Sequence, residues 1–477
     1  MINYLDFANS VPLLIIAAAG LIIMLLETIF PKGKKNASET AIFYFSIAAL
    51  AATVAYSFMD ITKNLILYNQ FIRVNTLTTV INIVMVAGIF LTVLSSKSYL
   101  EQEKINHGEY YSLLFFSLLG MMLMNQANDL IIVFVGLELM SICFYVLAGF
   151  MRTRIESNES AIKYFLLGAF VTGFLLMGIA FIYGYTGSTN YSVIANAHPQ
   201  KDTFYLIGLT LVFIAFIFKT GAFPLQMWIP DVYQGAPTVV TGMMSSVGKT
   251  AAFAAMISFF SIFALNNIPI IVAIVAILTM LYGNVVALVQ TNIKRLLAYS
   301  SIAHAGYIMV GFLGVNSFSI HAVIFYLVSY ILMQLGAFVI IAMVEEKTVD
   351  AKERNTLESF KGLGKASPGL AVLLTAFLFS LAGIPPFAGF WGKYYIFLSA
   401  IQLNFVWVAI VGILLSLVGV YYYIKVILYM WFYEPVGEQN ESLRADFSYT
   451  AAVISVLGLF AFGVYPELVL KYVRTIL

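Results

Sequence analysis

The feature that most constrains this chain is a succession of about fourteen apolar runs joined by short polar segments. They lie near 11 to 30, 41 to 59, 77 to 96, 111 to 127, 130 to 150, 161 to 184, 203 to 223, 238 to 262, 268 to 290, 298 to 315, 320 to 344, 368 to 398, 404 to 430 and 447 to 468. Roughly 20 apolar residues at about 1.5 Å each cross the hydrocarbon layer, and at that depth the backbone must satisfy its own hydrogen bonds. The expected fold is therefore an all-α polytopic membrane protein, one transmembrane domain over 1–477. The fourth and fifth runs are divided only by "NQAND". Composition agrees, because 61% of the residues are hydrophobic and 10% charged, where a soluble domain carries roughly 25% charged residues. The opening "MINYLDFANSVPLLIIAAAG" lacks a basic leader and is expected to be an uncleaved first span.

Basic residues set the orientation, since short cytoplasmic loops retain them. With the N-terminus outside, the cytoplasmic joints hold fifteen: Lys32, Lys34, Lys35, Lys97, Lys104, Arg152, Arg154, Lys294, Arg295, Lys347, Lys352, Arg354, Lys361, Lys365 and Arg444. The outer joints hold five: Lys63, Arg73, Lys201, Lys471 and Arg474. The longest polar insertion, residues 345 to 365, mixes both signs and reads as a solvated cytoplasmic loop with room for a short surface helix, while 183 to 202 reads as a smaller outer loop.

Several functions are excluded. A net charge of +2 without a basic patch gives no nucleic-acid surface. No GxGxxG or GxxxxGK[ST] loop is present for a nucleotide, no His, Asp or Glu cluster has metal-ligand spacing, and the single Cys143 cannot make a disulfide, an iron–sulfur site or a cysteine-rich zinc site.

The remaining five basic residues lie within spans: Lys163, Lys219, Lys249, Lys393 and Lys425. A lysine at mid-bilayer costs roughly 2.5 to 3.5 kcal/mol, which points to use unless the side chain snorkels. Lys163 and Lys425 lie near enough to loops to snorkel; Lys219, Lys249 and Lys393 lie deeper. Glu138 is the one carboxylate well inside a span, since Glu27, Asp60 and Asp129 fall at predicted ends. An acid beside an ammonium keeps both charged while burial opposes both, so such a pair can change proton occupancy at little cost. A static pair that fixes packing is the alternative. His304, in "AYSSIAHAGY", is the histidine placed well inside a span, with Tyr299, Ser300 and Ser301 before it; His107, His198 and His321 are in loops or at an edge.

Two of the deep lysines accompany breaks. "KTGAFPLQMW" interrupts the seventh span at Pro224, just after Lys219, and "LAGIPPFAGFWGK" interrupts the twelfth at Pro385 and Pro386, just before Lys393. Proline removes a donor and frees carbonyls a turn earlier, and freed backbone at membrane depth needs protein or water. Gly221, Pro224 and Trp228 recur as Gly383, Pro386 and Phe390, 162 residues or five spans later. An odd number of spans reverses the crossing direction, the arithmetic of an inverted repeat. The expected layout is helices 1–3 (11–96), a first five-helix repeat (111–262), a second, inverted one (268–430) and helix 14 (447–468), with helices 7 and 12 broken.

"QTNIKRLLAYSSIAHAGYIMVG", "KTGAFPLQMWIPDVYQGAP" and "AGIPPFAGFWGKYY" resemble the antiporter-like membrane subunits of respiratory NADH:quinone oxidoreductase (complex I) and the related Mrp-type cation/proton antiporter subunits. The resemblance spans essentially the whole chain, with three long motifs in order. It implies that Glu138 and Lys219 form a coupled charge pair, that Lys249 is a central proton relay and that Lys393 is the terminal site. Lys163 matches a further family lysine near the pair, and His304 lies in the motif linking two half-channels. Gln226 and Gln234 stand where the family often has His and Glu, and an amide cannot titrate.

The function implied is proton translocation in the cell inner membrane, driven by quinone reduction in other subunits. The implied partners are neighbouring membrane subunits in a hetero-oligomer and the lipid bilayer. FMN, iron–sulfur clusters and quinone are implied for the assembly and none for this chain. A sodium/proton antiporter subunit without redox coupling and a non-conducting scaffold are the alternatives.

Overall fold

A computed structural model describes residues 4–29, 35–197, 202–262, 268–347, 354–435 and 447–474. Among the loop residues counted above, Lys32, Lys34, His198, Lys201, Lys352 and Arg444 lie outside the described residues. The chain is helical almost throughout. In order, the helices are α1 (Tyr4–Ala8), α2 (Val11–Ile29), α3 (Lys35–Met59), α4 (Thr76–Gln102), α5 (Gly108–Gln126), α6 (Leu130–Ala148), α7 (Ile155–Thr186), α8 (Tyr191–Asn196), α9 (Thr203–Thr220), α10 (Trp228–Gly235), α11 (Thr238–Met243), α12 (Lys249–Ile262), α13 (Ile268–Ala287), α14 (Ile293–Val310), α15 (Ser317–Lys347), α16 (Leu363–Ala366), α17 (Pro368–Ala382), α18 (Ala388–Gln402), α19 (Val406–Phe432), α20 (Phe447–Val464) and α21 (Glu467–Arg474). A small hairpin, β1 (Leu65–Leu67) with β2 (Ile72–Val74), joins α3 to α4.

Eleven helices are long and apolar enough to cross a membrane, or twelve when the bent pair Glu358–Ala366 and Pro368–Ala382 counts as one. The fourteen runs read from sequence exceed this by α5, α14 and the pair α17–α18. The reason is physical. α14 carries Lys294, Arg295 and His304, yet all its residues except Arg295 are buried, so protein rather than lipid surrounds its polar groups. α17 and α18 are 15 residues each, the two halves of one interrupted run.

Local chemistry explains the boundaries. "NQAND" does divide two helices, because the Asp129 side chain caps α6 by accepting the Ile131 amide at 2.8 Å. Asp202 caps α9 and Asn292 caps α14 in the same way. α9 and α17 end alike: Gly221 (φ +73°) and Gly383 (φ +85°) adopt the left-handed conformation that glycine tolerates, and their amides return to Ile217 and Phe218, and to Phe379 and Ser380.

Loops sort onto two faces. On one, Arg154 bonds Glu103 at 2.6 Å and approaches Glu345 at 3.5 Å, Arg354 bonds Glu103 at 3.1 Å, and Arg295 bonds Asp231 at 2.8 Å. On the other, the Asn128 amide donates to Phe71 O at 2.9 Å, Tyr191 to Asn128 O at 3.0 Å, and Lys63 Nζ to Asn9 Oδ1 at 3.0 Å. Of the segment 183–202, read as an outer loop, the described part 187–197 carries α8 and is docked. The segment after Arg354 is likewise not simply solvated, because Phe360 and Leu363 are buried. Depth differs strongly between helices. The apolar windows of α15 and of the continuous stretch Thr238–Ser261 are 94% buried, against 33% for α7 and α19. The central helices are those that hold Lys249 and face His304.

Candidate functional site

Lys219 occupies the last turn of α9, two residues before the Gly221 break, and only 6% of it is exposed. Its ammonium donates to Ser141 Oγ on α6 at 2.7 Å. The rings of Tyr145, Tyr164 and Phe218 surround it at 5.6 to 5.8 Å, an attraction that partly replaces lost hydration. Glu138 sits one turn before Ser141 on the same helix. It is half-buried and accepts Thr172 Oγ1 of α7 at 2.6 Å. Glu138 and Lys219 make no salt bridge within 4.0 Å; Lys219 donates to Ser141, whose own hydroxyl donates to Leu137 O, while Glu138 accepts from Thr172, so the acid acts on the ammonium through space rather than by contact. The carbonyls freed at this break are used elsewhere, Phe218 O accepting Trp228 Nε1 at 3.1 Å.

Lys249 opens α12 directly after Met244–Gly248, a wide π-type turn. Such turns rotate the following residues relative to a regular α-helix and recur at functional sites. The Lys249 ammonium, 1% exposed, donates to Ser301 O at 2.7 Å and to Ser301 Oγ at 3.0 Å. It also lies beside the first break, since a Cβ on Gly221 would stand 3.7 Å from Nζ. The negative end of a helix dipole favours a cation there.

The second break follows the same logic more directly. Lys393, on the first turns of α18, reaches back and donates to Ala382 O, the last carbonyl of α17, at 2.9 Å. Its Nζ also stands 5.0 Å from the centre of the Tyr307 ring.

His304 lies between these lysines and is fully buried. Nδ1 is 2.8 Å from Tyr326 Oη and Nε2 is 3.1 Å from Tyr423 Oη. Tyr423 Oη also bonds Ser300 Oγ. On α14, Ser301, His304 and Tyr307 are three residues apart, which places them along one face. Lys249 is bound at the Ser301 end and Lys393 lies over the Tyr307 end. The structure thus brings Lys249, His304 and Lys393 together along one buried helix.

Lys163 is different. It is 41% exposed and bonds Asp231 at 2.7 Å and Glu159 at 2.6 Å, in a cluster with Arg295 rather than beside Glu138 or Lys219. Asp231 lies on α10, between two crossing segments. Burial raises its carboxyl pKa, but hydrogen bonds from Lys163 and Arg295 outweigh that and hold it below the usual carboxylate range. Gln234 joins the cluster by accepting from Arg295 at 3.0 Å, while Gln226 is buried with its Oε1 unpartnered among the described residues.

Sequence reasoning missed Ser141, Tyr326 and Tyr423, which carry no signal until neighbouring helices are assigned. It also placed Lys294 in a loop, whereas Lys294 is 3% exposed and donates to Ala236 O at 2.6 Å. Glu345, which the sequence places at the edge of a polar loop, is likewise buried, and it is bonded to Thr238 Oγ1. Among the described residues no group of three or more His, Cys, Asp or Glu could hold a metal ion.

Arranged this way, the groups can exchange protons over short steps: amines that also accept, hydroxyls that donate and accept, and an imidazole with both nitrogens engaged.

Comparison with known proteins fits this geometry. Residues 127–419 match the family described as "NADH:quinone oxidoreductase/Mrp antiporter, TM". The chain is 41% identical, over 97% of its length and 95% of the relative's, to NADH-quinone oxidoreductase subunit N of Trichlorobacter lovleyi. It superposes with a TM-score of 0.83 on a chain of respiratory complex I from Thermus thermophilus, 32% identical over 96% of this chain and 98% of that one. A chain of the Mrp complex from Dietzia sp. shares the fold, with a TM-score of 0.85 at 20% identity, covering 98% of this chain and 96% of that one.

Proposed function

This chain belongs to the NADH:quinone oxidoreductase/Mrp antiporter transmembrane family, and on that premise we propose that it is a proton-translocating membrane subunit of a bacterial NADH:quinone oxidoreductase. The translocase is the assembled complex, with no redox centre in this chain. FMN, iron–sulfur clusters and quinone belong to other subunits, and neighbouring antiporter-like and small membrane subunits flank this one in the cell inner membrane. The chain crosses fourteen times, with helices 1–3, two inverted five-helix repeats and helix 14. The matched glycine ends of α9 and α17 support the repeat. The N-terminus lies outside, because the face that collects Glu103, Arg154, Arg295, Glu345 and Arg354 is the one the positive-inside rule assigns to the cytoplasm.

The observation that carries this reading is the line Lys249, Ser301, His304, Tyr307, Lys393 along one face of a helix buried in protein. Changes in the Glu138–Lys219 couple alter the proton affinity of Lys249. The charge then passes by His304 to Lys393. Lys163 holds the Asp231 cluster at the cytoplasmic mouth and tunes the couple from there. Each charge moved against the membrane potential costs about 2.3 kcal/mol per 100 mV, which quinone chemistry elsewhere in the assembly must supply.

The test is Lys249→Met in the assembled complex, read as NADH-driven proton uptake into inverted membrane vesicles. Assembly with proton movement lost is expected. Unaltered pumping would sink the relay.

A further inference from the structure

Asn284 on α13 is 0% exposed and its side chain meets three partners. Nδ2 donates to Met280 O at 2.8 Å and to Tyr307 Oη at 2.9 Å, and Oδ1 accepts the Tyr422 hydroxyl at 3.2 Å. A backbone carbonyl can only accept, so Met280 fixes which end of the amide is nitrogen. Both N–H groups are then spent. Tyr422 gives, Tyr307 receives, and the amide cannot exchange its ends.

That fixed polarity matters because of what lies on either side. Tyr422 stands against Tyr423, with ring centres 4.5 Å apart and hydroxyls bonded. Tyr423 in turn reaches His304 Nε2 and Ser300, next to the serine that holds Lys249. At the other end, Lys393 Nζ stands 5.0 Å from the centre of the Tyr307 ring. Hydroxyls and one amide thus run from the Lys249 side of His304 to the Lys393 side without passing through the imidazole. A hydroxyl relays a proton by taking one and giving one. At Asn284 the same exchange would put a proton on Oδ1 and strip one from Nδ2, leaving an imidic acid where a far more stable amide had been.

We propose that Asn284 is a proton insulator: it closes a hydrogen-bonded shortcut around His304 and commits the proton to the imidazole and its Tyr326 side. This rests on the reading of His304 as a relay. Asn284 is a positioning residue, since it holds two phenols in fixed roles and carries no proton itself. An amide that only packed α13 against α14 and α19 would have no bearing on whether His304 is needed.

The experiment uses the assembled complex in inverted vesicles and reads NADH-driven proton uptake in His304→Gln, alone and combined with Asn284→Asp. In the acid variant a neutral carboxyl takes the Tyr422 proton on one oxygen while giving its own from the other to Tyr307, which releases its hydroxyl proton toward Lys393. The carboxyl ends unchanged. His304→Gln alone should slow pumping on the order of a hundredfold, the scale of a lost acid–base group, and adding Asn284→Asp should recover about tenfold of that loss. Adding Asn284→Leu, similar in shape but unable to relay, should recover nothing. Equal uptake in His304→Gln with and without Asn284→Asp overturns the proposal, as does an equal recovery with Asn284→Leu. If the acid variant fails to assemble, Tyr422→Phe decides. A closed shortcut carries nothing, so deleting that hydroxyl leaves pumping unchanged, and a fall of about tenfold overturns the insulator. His304→Gln that pumps like the parent defeats the relay reading and this proposal with it. His304→Gln that stops pumping and is not relieved by Asn284→Asp defeats only the shortcut.

Discussion

Lys393 donates to the carbonyl of Ala382 at 2.9 Å, so the ammonium on one half of the broken helix satisfies the last backbone acceptor of the other half. Charge and backbone repair are therefore combined in one side chain, and they can be separated. Arginine keeps a cation at this site but cannot be deprotonated. Lys393→Arg should preserve assembly and yet reduce pumping on the order of a hundredfold, the scale of a lost acid–base group. Near-normal proton uptake by this variant would mean that Lys393 only holds the break together.

Gly221 makes a complementary point at the first break. A Cβ there would stand 1.9 Å from Ile229 Cδ1, and the backbone is already left-handed at φ +73°. Gly221→Ala should lower thermal stability by more than the roughly 1–2 kcal/mol of the backbone penalty alone, because Ile229 is buried and must move. Thermal unfolding of the purified complex, followed by loss of this subunit, would measure it. A variant as stable as the parent would show that the turn repacks freely.

Ser141 is the acceptor that Lys219 uses in place of a direct salt bridge with Glu138. Ser141→Ala leaves a buried ammonium one bond short, a loss of about 1.5–3 kcal/mol for a charged hydrogen bond. It should also free the ammonium from the place where Glu138 acts on it, so that Ser141→Ala and Glu138→Gln together slow pumping no more than either alone. Additive effects in that double-mutant cycle would place Glu138 and Lys219 on independent paths.

How far the sequence carried this picture depended on the kind of signal. Eleven of the apolar runs and the two breaks were legible, because length, apolarity, Pro224 and Pro386 act locally. Lys219, Lys249, Lys393 and His304 stood out as charges or rings where lipid would exclude them. The partners were not legible. Ser141, Ser301, Tyr326 and Tyr423 are ordinary residues of membrane helices, and their roles arise from which helices become neighbours. Lys294 was misplaced because its run begins with charged residues that look solvated, whereas the fold draws this one inward onto Ala236 O. Lys163, close enough to a loop to snorkel, reaches the surface cluster of Asp231 rather than the pair that the resemblance sets beside it.

That cluster predicts a pH dependence. Asp231 has a folded pKa below the ordinary carboxylate value, since the hydrogen bonds from Lys163 and Arg295 outweigh the effect of burial. Its contribution is complete above the unfolded value, falls away as pH drops through the lower folded value, and is absent in stronger acid. Its side chain is 36% exposed, so water screens the pairing and the gain at neutral pH should be no more than about 1 kcal/mol. Asp231→Asn should therefore unfold slightly earlier than the parent at pH 7, and the two should converge below the folded pKa. A gap that persists unchanged into strong acid would show that the carboxylate charge is not what binds α10 to α7 and α14.

His304 offers the most direct test of the proposed relay, because both of its nitrogens meet a phenol. A neutral imidazole has one donor and one acceptor nitrogen, so Tyr326 and Tyr423 must play opposite parts at any moment. Reversing both hydrogen bonds exchanges the tautomers and transmits a proton from one side of the ring to the other. Tyr423 also bonds Ser300, one residue from the Ser301 that holds Lys249, and Tyr326 contacts Gly392, the neighbour of Lys393. Tyr326→Phe and Tyr423→Phe should each fix one tautomer by removing a partner, slowing pumping about tenfold, while quinone-reduction activity measured with an uncoupler falls much less. Infrared difference spectra should show the imidazole band of one tautomer strengthened in Tyr326→Phe and of the other in Tyr423→Phe. If both variants pump normally and their imidazole bands match the parent's, His304 is a packed ring and the line between Lys249 and Lys393 must be bridged by water alone.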